Sequence, residues 1–385
     1  MRIISALSLS LLFFIAIGCQ PDETQTAPET ESAEPVDPLV QINEAQRFDM
    51  EYFETHKVIT INNPWPDAEE DFTYVLYDRD EERPEGYEDA QFIEIPATDL
   101  VCLSSACISY AIELDLLDKL VGIAALEDVS NPEIRERVEN GDIAEVGRNE
   151  NVNVELMMEI DPTLVGTYGV GMSEYDSHPK LQEAGIPVAI HAQYMENTPL
   201  GRAEWIKFLA AFFDVEEEAE AFFANEAEQY NHYASLADNI TDRPDILVGK
   251  NRSGTWWLSG GQSYLANLLE DAGGNYLWSD DDSDERRQVD FEYVYSEARE
   301  ADFWVINVGS YESIDELRRS DERYEDFRAY QNGNVFGNIG GENPEVSEDF
   351  WETGVSNPHL ILKDLISIFH PDLLPDHERV FYSIL

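Results

Sequence analysis

Apolar residues along this chain recur with two periods, and the period changes near residue 100. Residues 58–62, 72–77 and 92–95 are short β-rich runs separated by acidic, turn-rich stretches, which predicts a small N-terminal sheet or hairpin. From residue 100 strands alternate with helices. A buried-type strand is expected over 100–104, followed by a helix to 117 that Ser105 caps, and a strand over 120–124. A helix over 154–160, a strand over 163–166, a helix over 178–184 and a strand over 187–191 continue the series. Such a series builds a parallel sheet with helices on both faces.

A helical stretch comes next. Residues 203–213 place Trp205, Phe208, Leu209 and Phe212 on one face, Asp214 breaks the helix, and 216–237 continues with Ala219, Phe222, Phe223, Ala227 and Tyr230 at helical spacing. A second α/β series follows Pro244. It has strands at 245–248, 303–308 and 335–336, and helices at 264–272, 324–332 and 358–369. The expected architecture is two α/β lobes bridged by a single long helix, with a small N-terminal β extension. Its segments are 41–98 for the extension, 99–200 for the first lobe, 201–240 for the bridge and 241–385 for the second lobe.

The first residues change the compartment. Met1 and Arg2 precede an apolar run over 3–17, shorter than the roughly 20 residues a membrane-spanning helix needs. Ala16-Ile17-Gly18-Cys19 then resembles a bacterial lipobox, with Ala16 where Leu is usual. The expectation is a signal peptide over 1–18, lipidation of Cys19 and a disordered tether over 19–40. The protein would then sit in the cell envelope, held to the membrane by lipid. Export permits disulfides, but for Cys102 and Cys107 buried free thiols are the favoured expectation.

Charge excludes one class of partner. Lys and Arg number 24 against 80 Asp and Glu, a net charge of −56 spread along the chain, which offers no basic face to nucleic acid. Self-repulsion of this size is relieved by salt, whose Debye length falls to about 3 Å at 1 M, so adaptation to high salt is expected. No Ser-His-Asp or nucleophile-elbow pattern occurs, and His191, His359 and His370 are not at metal-ligand spacing. The reading is a binding protein and not an enzyme. A hydrolase or sensor domain on the same scaffold would need a convergent base, nucleophile or metal site.

Four segments carry a family resemblance. They are Leu120-Val121-Gly122-Ile123-Ala124; Gly147-Arg148 through Asn153-Val154-Glu155 and on to Asp161-Pro162; Gly260-Gly261-Gln262-Ser263 leading to Ala272-Gly273-Gly274-Asn275; and Asn357-Pro358-His359. In this order the chain from about residue 100 onward resembles the periplasmic substrate-binding proteins of ABC importers for iron siderophores and vitamin B12, whose class III fold is two lobes bridged by a rigid helix. The resemblance implies a chelate held between the lobes, no cofactor of the protein's own, and partners in an ABC permease and its ATPase subunits. It also implies a permease-docking glutamate on each lobe, here Glu155 and Glu270, which would pair with permease arginines.

Loops after strand ends are where open α/β sheets bind ligands. On that basis Arg148 and Tyr168 are candidate ligand residues of the first lobe, with Gly169 and Gly171 allowing close backbone approach. In the second lobe the candidates are Arg252, Trp256, Trp257 and Trp351. Strand alternation puts Trp256 and Trp257 on opposite faces, so one need face ligand. Lys250 and the adjacent Arg286 and Arg287 could add positive charge. A cation flanked by aromatics suits a large, partly apolar, anionic chelate. A ferric siderophore is the leading ligand class, with cobalamin or another corrinoid next and haem third.

Overall fold

The computed structural model describes residues 35–68, 71–148, 151–306, 311, 313–338 and 349–385. The extension is a four-stranded sheet of β1 (Phe48–Tyr52), β2 (His56–Ile61), β3 (Phe72–Asp78) and β4 (Gln91–Ile95) in spatial order β1-β2-β3-β4. The first two pairings are antiparallel and β3–β4 is parallel. Of its buried apolar positions, Phe48, Ile59, Ile61, Tyr74, Leu76, Ile93 and Ile95 join the main core.

The first lobe is an all-parallel sheet in order β7-β6-β5-β8-β9. In chain order it runs β5 (Leu100–Cys102), α1 (Ser105–Glu113), β6 (Leu120–Ile123), α2 (Pro132–Glu139), β7 (Ala144–Glu145), α3 (Val154–Ile160), β8 (Leu164–Thr167), α4 (His178–Glu183) and β9 (Val188–Ile190). The cap of α1 is Ser104 and not Ser105: its hydroxyl accepts the Cys107 N–H. The helix ends at Glu113 rather than 117, because Asp115 turns left-handed at φ 56°. Asn131 and Asn153 cap α2 and α3.

The bridge begins as two short helices, α5 (Pro199–Glu204) and α6 (Ile206–Ala211), where the periodicity alone predicts one. Their face of Trp205, Phe208, Leu209 and Phe212 is buried as expected. After the left-handed Asp214, α7 (Glu216–Ala237) runs 22 residues, about 33 Å.

The second lobe continues with β10 (Asp245–Val248), β11 (Asn251–Arg252), β12 (Thr255–Ser259), α8 (Tyr264–Asp271), β13 (Asn275–Tyr276), β14 (Arg286–Val289) and α9 (Phe291–Ala298). Then come β15 (Phe303–Ile306), α10 (Ile314–Ser320), α11 (Arg328–Gln331), β16 (Val335–Gly337), α12 (Asp349–Ser356), α13 (Pro358–Phe369) and β17 (Ser383–Ile384). Its main sheet is β13-β10-β15-β16-β17, parallel except for the last strand. A separate antiparallel sheet of three strands, β11-β12-β14, stands beside it. Helix α12 lies against the first lobe: Ser356 and Ser109 hydroxyls are 2.5 Å apart, and buried Glu352 accepts the Ser130 and Asn131 N–H groups at 2.8 Å.

Candidate functional site

A cavity of about 280 Å³ opens at the carboxyl ends of the first lobe's strands. The residues after β5 supply Leu103, Ser104 and Ser105; those after β6 supply Ala124, Ala125 and Asp128; those after β7 and β8 supply Arg148 and Tyr168. Parallel strands pointing the same way bring four loops, distant in sequence, to one mouth. Arg148 and Tyr168 thus stand together.

Electrostatics here are balanced rather than bare. The Arg148 guanidinium pairs with Glu127 and, at 3.0 Å, with Asp128, yet keeps 41% of its side chain exposed. Burial pushes the Asp128 carboxyl up, against the opposing pull of Arg148. Burial, then Asp128 and Asp176, raises the Tyr168 phenol, so it stays a neutral donor at ordinary pH.

Beneath the mouth lies a polar relay. Ser104 Oγ is 2.7 Å from His191 Nε2, and His191 Nδ1 is 3.3 Å from Gln193 Oε1. Burial lowers the His191 pKa to about 4, so the ring is neutral. The carbonyl of Gln193 requires the proton on Nδ1, which leaves Nε2 to accept from Ser104. An imidazole with so low a basicity is a poor general base.

Cys102 and Cys107 are disulfide-bonded, which overturns the expectation of free thiols. Cys107 sits on the first turn of α1, and that turn folds back over the end of β5, bringing the Cα atoms to 5.4 Å, within bridging range. The bridge closes the short loop that carries Leu103, Ser104 and Ser105 into the cavity wall.

In the second lobe the two tryptophans separate as alternation requires. Trp256 is fully buried: its Nε1 donates to the Val248 carbonyl at 2.9 Å, and it packs on Trp304, Phe291, Tyr324 and Phe327. Its candidacy as a ligand residue is therefore corrected, since its indole has both a partner and a core around it. Trp257 points the other way and is 44% exposed. Register places Arg252 opposite Thr255, Trp257 opposite Gln288 and Ser259 opposite Arg286, so Arg252, Trp257, Gln288 and Arg286 share one face of the small sheet. Arg252 and Arg286 are exposed on it. Arg287 belongs to the other face, over the Tyr293 ring. Lys250 lies 4.4 Å over the Tyr311 ring, and burial and then Arg252 lower its pKa. The Arg286 charge is felt at buried Arg202 in α5, and Asn197 binds Asp284 at 2.9 Å, so this sheet sits beside the bridge. Trp351 is half-buried, edge-on to Phe350 at 4.8 Å, and packs against the main core.

Glu155 is exposed in the first turn of α3, and Glu270 is exposed in the last turn of α8, one on each lobe. Cys19 lies outside the described residues. Among the described residues no group of three or more His, Cys, Asp or Glu side chains could hold a metal ion. The polar cavity residues that sequence reasoning missed are Ser104, Ser105 and Asp128. Ser105 directly follows the predicted strand over 100–104, whose last residue is Ser104, and Asp128 lies four residues beyond the predicted strand over 120–124.

The periplasmic binding protein family model matches residues 100–338. An uncharacterized lipoprotein of Methanocaldococcus jannaschii is 27% identical over 65% of this chain, and the match spans 58% of that protein's length. A second uncharacterized lipoprotein from the same organism is 26% identical over 77% of this chain and 76% of its own. A periplasmic binding protein from Veillonella parvula superposes with TM-score 0.56 at 15% identity, over 84% of this chain and 98% of that one. A periplasmic heme-binding protein from Pseudomonas aeruginosa does so with TM-score 0.55 at 17% identity, over 71% and 93%. The two lobes and the long helix are thus the fold of that class, and the chain belongs to the periplasmic binding protein family.

Proposed function

We propose that this protein captures an anionic ferric chelate of siderophore type between its lobes and delivers it to an ABC permease and its ATPase subunits. The observation that carries this reading is the cavity at the carboxyl ends of β5, β6, β7 and β8, which gathers Arg148, Tyr168 and Ser104 at one mouth. The face of the second lobe with Arg252, Arg286 and Trp257 supports it, because cations around an exposed indole fit a partly apolar anion. In a chain with 80 acidic residues, cations grouped on one small sheet are set against the prevailing charge. Trp351 is a further lining candidate. Glu155 and Glu270 would orient the loaded protein on the permease, and Cys19 would carry the lipid; the relatives named lipoproteins support the anchor.

A second reading, haem or a corrinoid, is favoured by the exposed Trp257 indole, which suits a flat macrocycle. Titrating the soluble protein with a ferric trihydroxamate, ferric citrate, haemin and cyanocobalamin separates the readings. The expected result is tight binding of a ferric chelate, weakened about tenfold or more by Arg148→Ala, since a lost charge-assisted hydrogen bond costs on the order of 1.5–3 kcal/mol, and weakened by Trp257→Ala through loss of its aromatic face. Binding of haemin or cobalamin alone would select the second reading, and wild-type affinity in both variants would remove these residues from the site.

A further inference from the structure

Gly169 and Gly171 follow the cavity residue Tyr168, and their lack of side chains leaves room for a close neighbour. The structure identifies that neighbour as Trp65, in the connection between β2 and β3 of the extension. A Cβ built on Gly169 would stand 2.7 Å from Trp65 Cε3 and Cζ3, and one on Gly171 would stand 2.7 Å from Trp65 Cδ1. Contacts that short do not occur, so the indole has taken the space both glycines leave. Gly171 also needs its φ of +76°, which other residues rarely adopt.

The indole is itself held. It stacks on His178 at 5.4 Å and meets Phe72 edge-on at 5.5 Å, and the His178 and Phe72 rings are perpendicular at 6.0 Å. The loop it covers is pinned from its other polar groups as well. Tyr194 Oη donates to the Gly169 carbonyl at 2.7 Å, and the Val170 N–H donates to Asp176 at 2.7 Å. Trp65 lies outside the matched span 100–338, and so does the whole extension.

We propose that Trp65 is a positioning residue for the ligand cavity: it clamps residues 169–171 and thereby sets where Tyr168 stands at the mouth. The proposal rests on the reading of that cavity as the ligand site. The extension is then a working part of the site and not an appended domain. Affinity comes partly from preorganisation, and a loop released from its clamp must be ordered again on binding.

The test measures amide hydrogen exchange over residues 168–176 in the free protein, and affinity for a ferric trihydroxamate, in molar KCl. Trp65→Ala should speed exchange in this loop, leave the parallel-sheet amides protected, and weaken binding about tenfold. Trp65→Phe, which keeps a ring on the glycines, should stay within about twofold of wild type. A double-mutant cycle adds a readout that general destabilisation would not move. Gly169→Ala alone should weaken binding, whereas Gly169→Ala added to Trp65→Ala should cost little more, because the new methyl enters the space the indole vacated and its remaining near neighbour, the His178 ring at 3.2 Å, loses the indole it stacked on. Unchanged exchange in Trp65→Ala overturns the proposal whatever the probe does. Additive losses in the cycle overturn it as well. If Tyr168→Ala leaves trihydroxamate affinity unchanged, the cavity reading fails separately, and the exchange data still decide whether Trp65 holds the loop.

Discussion

Protonation of His191 should make this fold acid-sensitive over a defined window. The ring is fully buried and neutral, wedged between Ser104 Oγ at 2.7 Å and Gln193 Oε1 at 3.3 Å, and its pKa falls from 6.5 to about 4. In the unfolded chain the imidazole takes up a proton near pH 6.5. In the folded chain it resists until about pH 4. Between those values the unfolded state binds more protons, so stability is fully present above pH 6.5 and is lost as pH falls toward 4. A pKa difference of roughly 2.5, at about 1.4 kcal/mol for each, sets the loss at roughly 3 kcal/mol. That is a large part of a typical folding free energy of about 5–15 kcal/mol.

Wild-type curves alone would hide this, because Glu352 works in the opposite direction. Its carboxyl is raised from 4.5 to about 7 by burial, against two backbone N–H bonds. The folded state therefore keeps that proton longer than the unfolded one, and its contribution is present below pH 4.5 and lost as pH rises through 7. The two windows overlap between pH 4.5 and 6.5 and partly cancel. Comparing wild type with His191→Gln removes Glu352 from the difference, since both proteins carry it. The glutamine still offers an acceptor to Ser104 but takes no proton. Urea unfolding in molar KCl, at steps from pH 7.5 to 4, should find the variant less stable at pH 7.5, with its deficit shrinking by about 3 kcal/mol toward pH 4. A deficit that stays constant across the range would refute the buried neutral histidine.

Two further predictions use other parts of the molecule. Glu155→Ala with Glu270→Ala should bind a ferric chelate like wild type yet fail to support its uptake by the reconstituted transporter; normal uptake would refute the docking roles, and lost binding would move these carboxylates into the cleft. Replacing the disulfide with Cys102→Val and Cys107→Ala, which fills the space without the bond, should lower stability by roughly 2 kcal/mol on the loop-entropy argument for so short a loop, and equal urea midpoints for the variant and the oxidised wild type would refute that contribution.

Much of the fold was legible because its signals are local. Helices α3, α7 and α13 and strand β10 begin and end where the pattern places them. Each has punctuation beside it: Asn153 before α3, the left-handed Asp214 before α7, Pro358 at the first position of α13 and Pro244 before β10. What stayed hidden depends on partners far away in the chain. The sheet β11-β12-β14 pairs Trp257 with Gln288 across a helix and a strand, and no periodicity within residues 251–259 announces that. Alternation separated Trp256 from Trp257, but only the aromatic cluster of Trp304, Tyr324 and Phe327 decides which of the two is buried. The cysteine pair needed the turn after β5. The glycines of residues 169–171 declared a close approach without naming the group that makes it, which lies about a hundred residues upstream.

That distance bears on how the extension and the lobes depend on one another. Glu204 is wholly buried and accepts the N–H groups of Asn43, Glu44 and Ala45 at 2.6–3.0 Å, with Lys207 at 2.9 Å. Glu196 accepts those of Gln46 and Arg47, both at 2.9 Å, and the Trp205 indole N–H at 3.0 Å. Five successive backbone donors before β1 are thus spent on two carboxylates at the root of the bridge. Leaving those charges buried without their donors would cost several kcal/mol each. At the other side of the first lobe, β9 is the sheet's outer strand, with an edge that would be open. Tyr74 Oη accepts the Ile190 N–H at 2.9 Å, and the Gln91 amide meets both the N–H and the carbonyl of Val188 at 2.9 Å. Side chains of β3 and β4 therefore finish a sheet they do not belong to, and an exposed edge that could pair with other chains is closed. The extension thus meets three demands of the two-lobed body: donors for the buried acids of the bridge, a cover for an open strand edge, and a weight on the loop beside the cavity. The segment is thus packed onto the first lobe and onto the root of the bridge at three separate places.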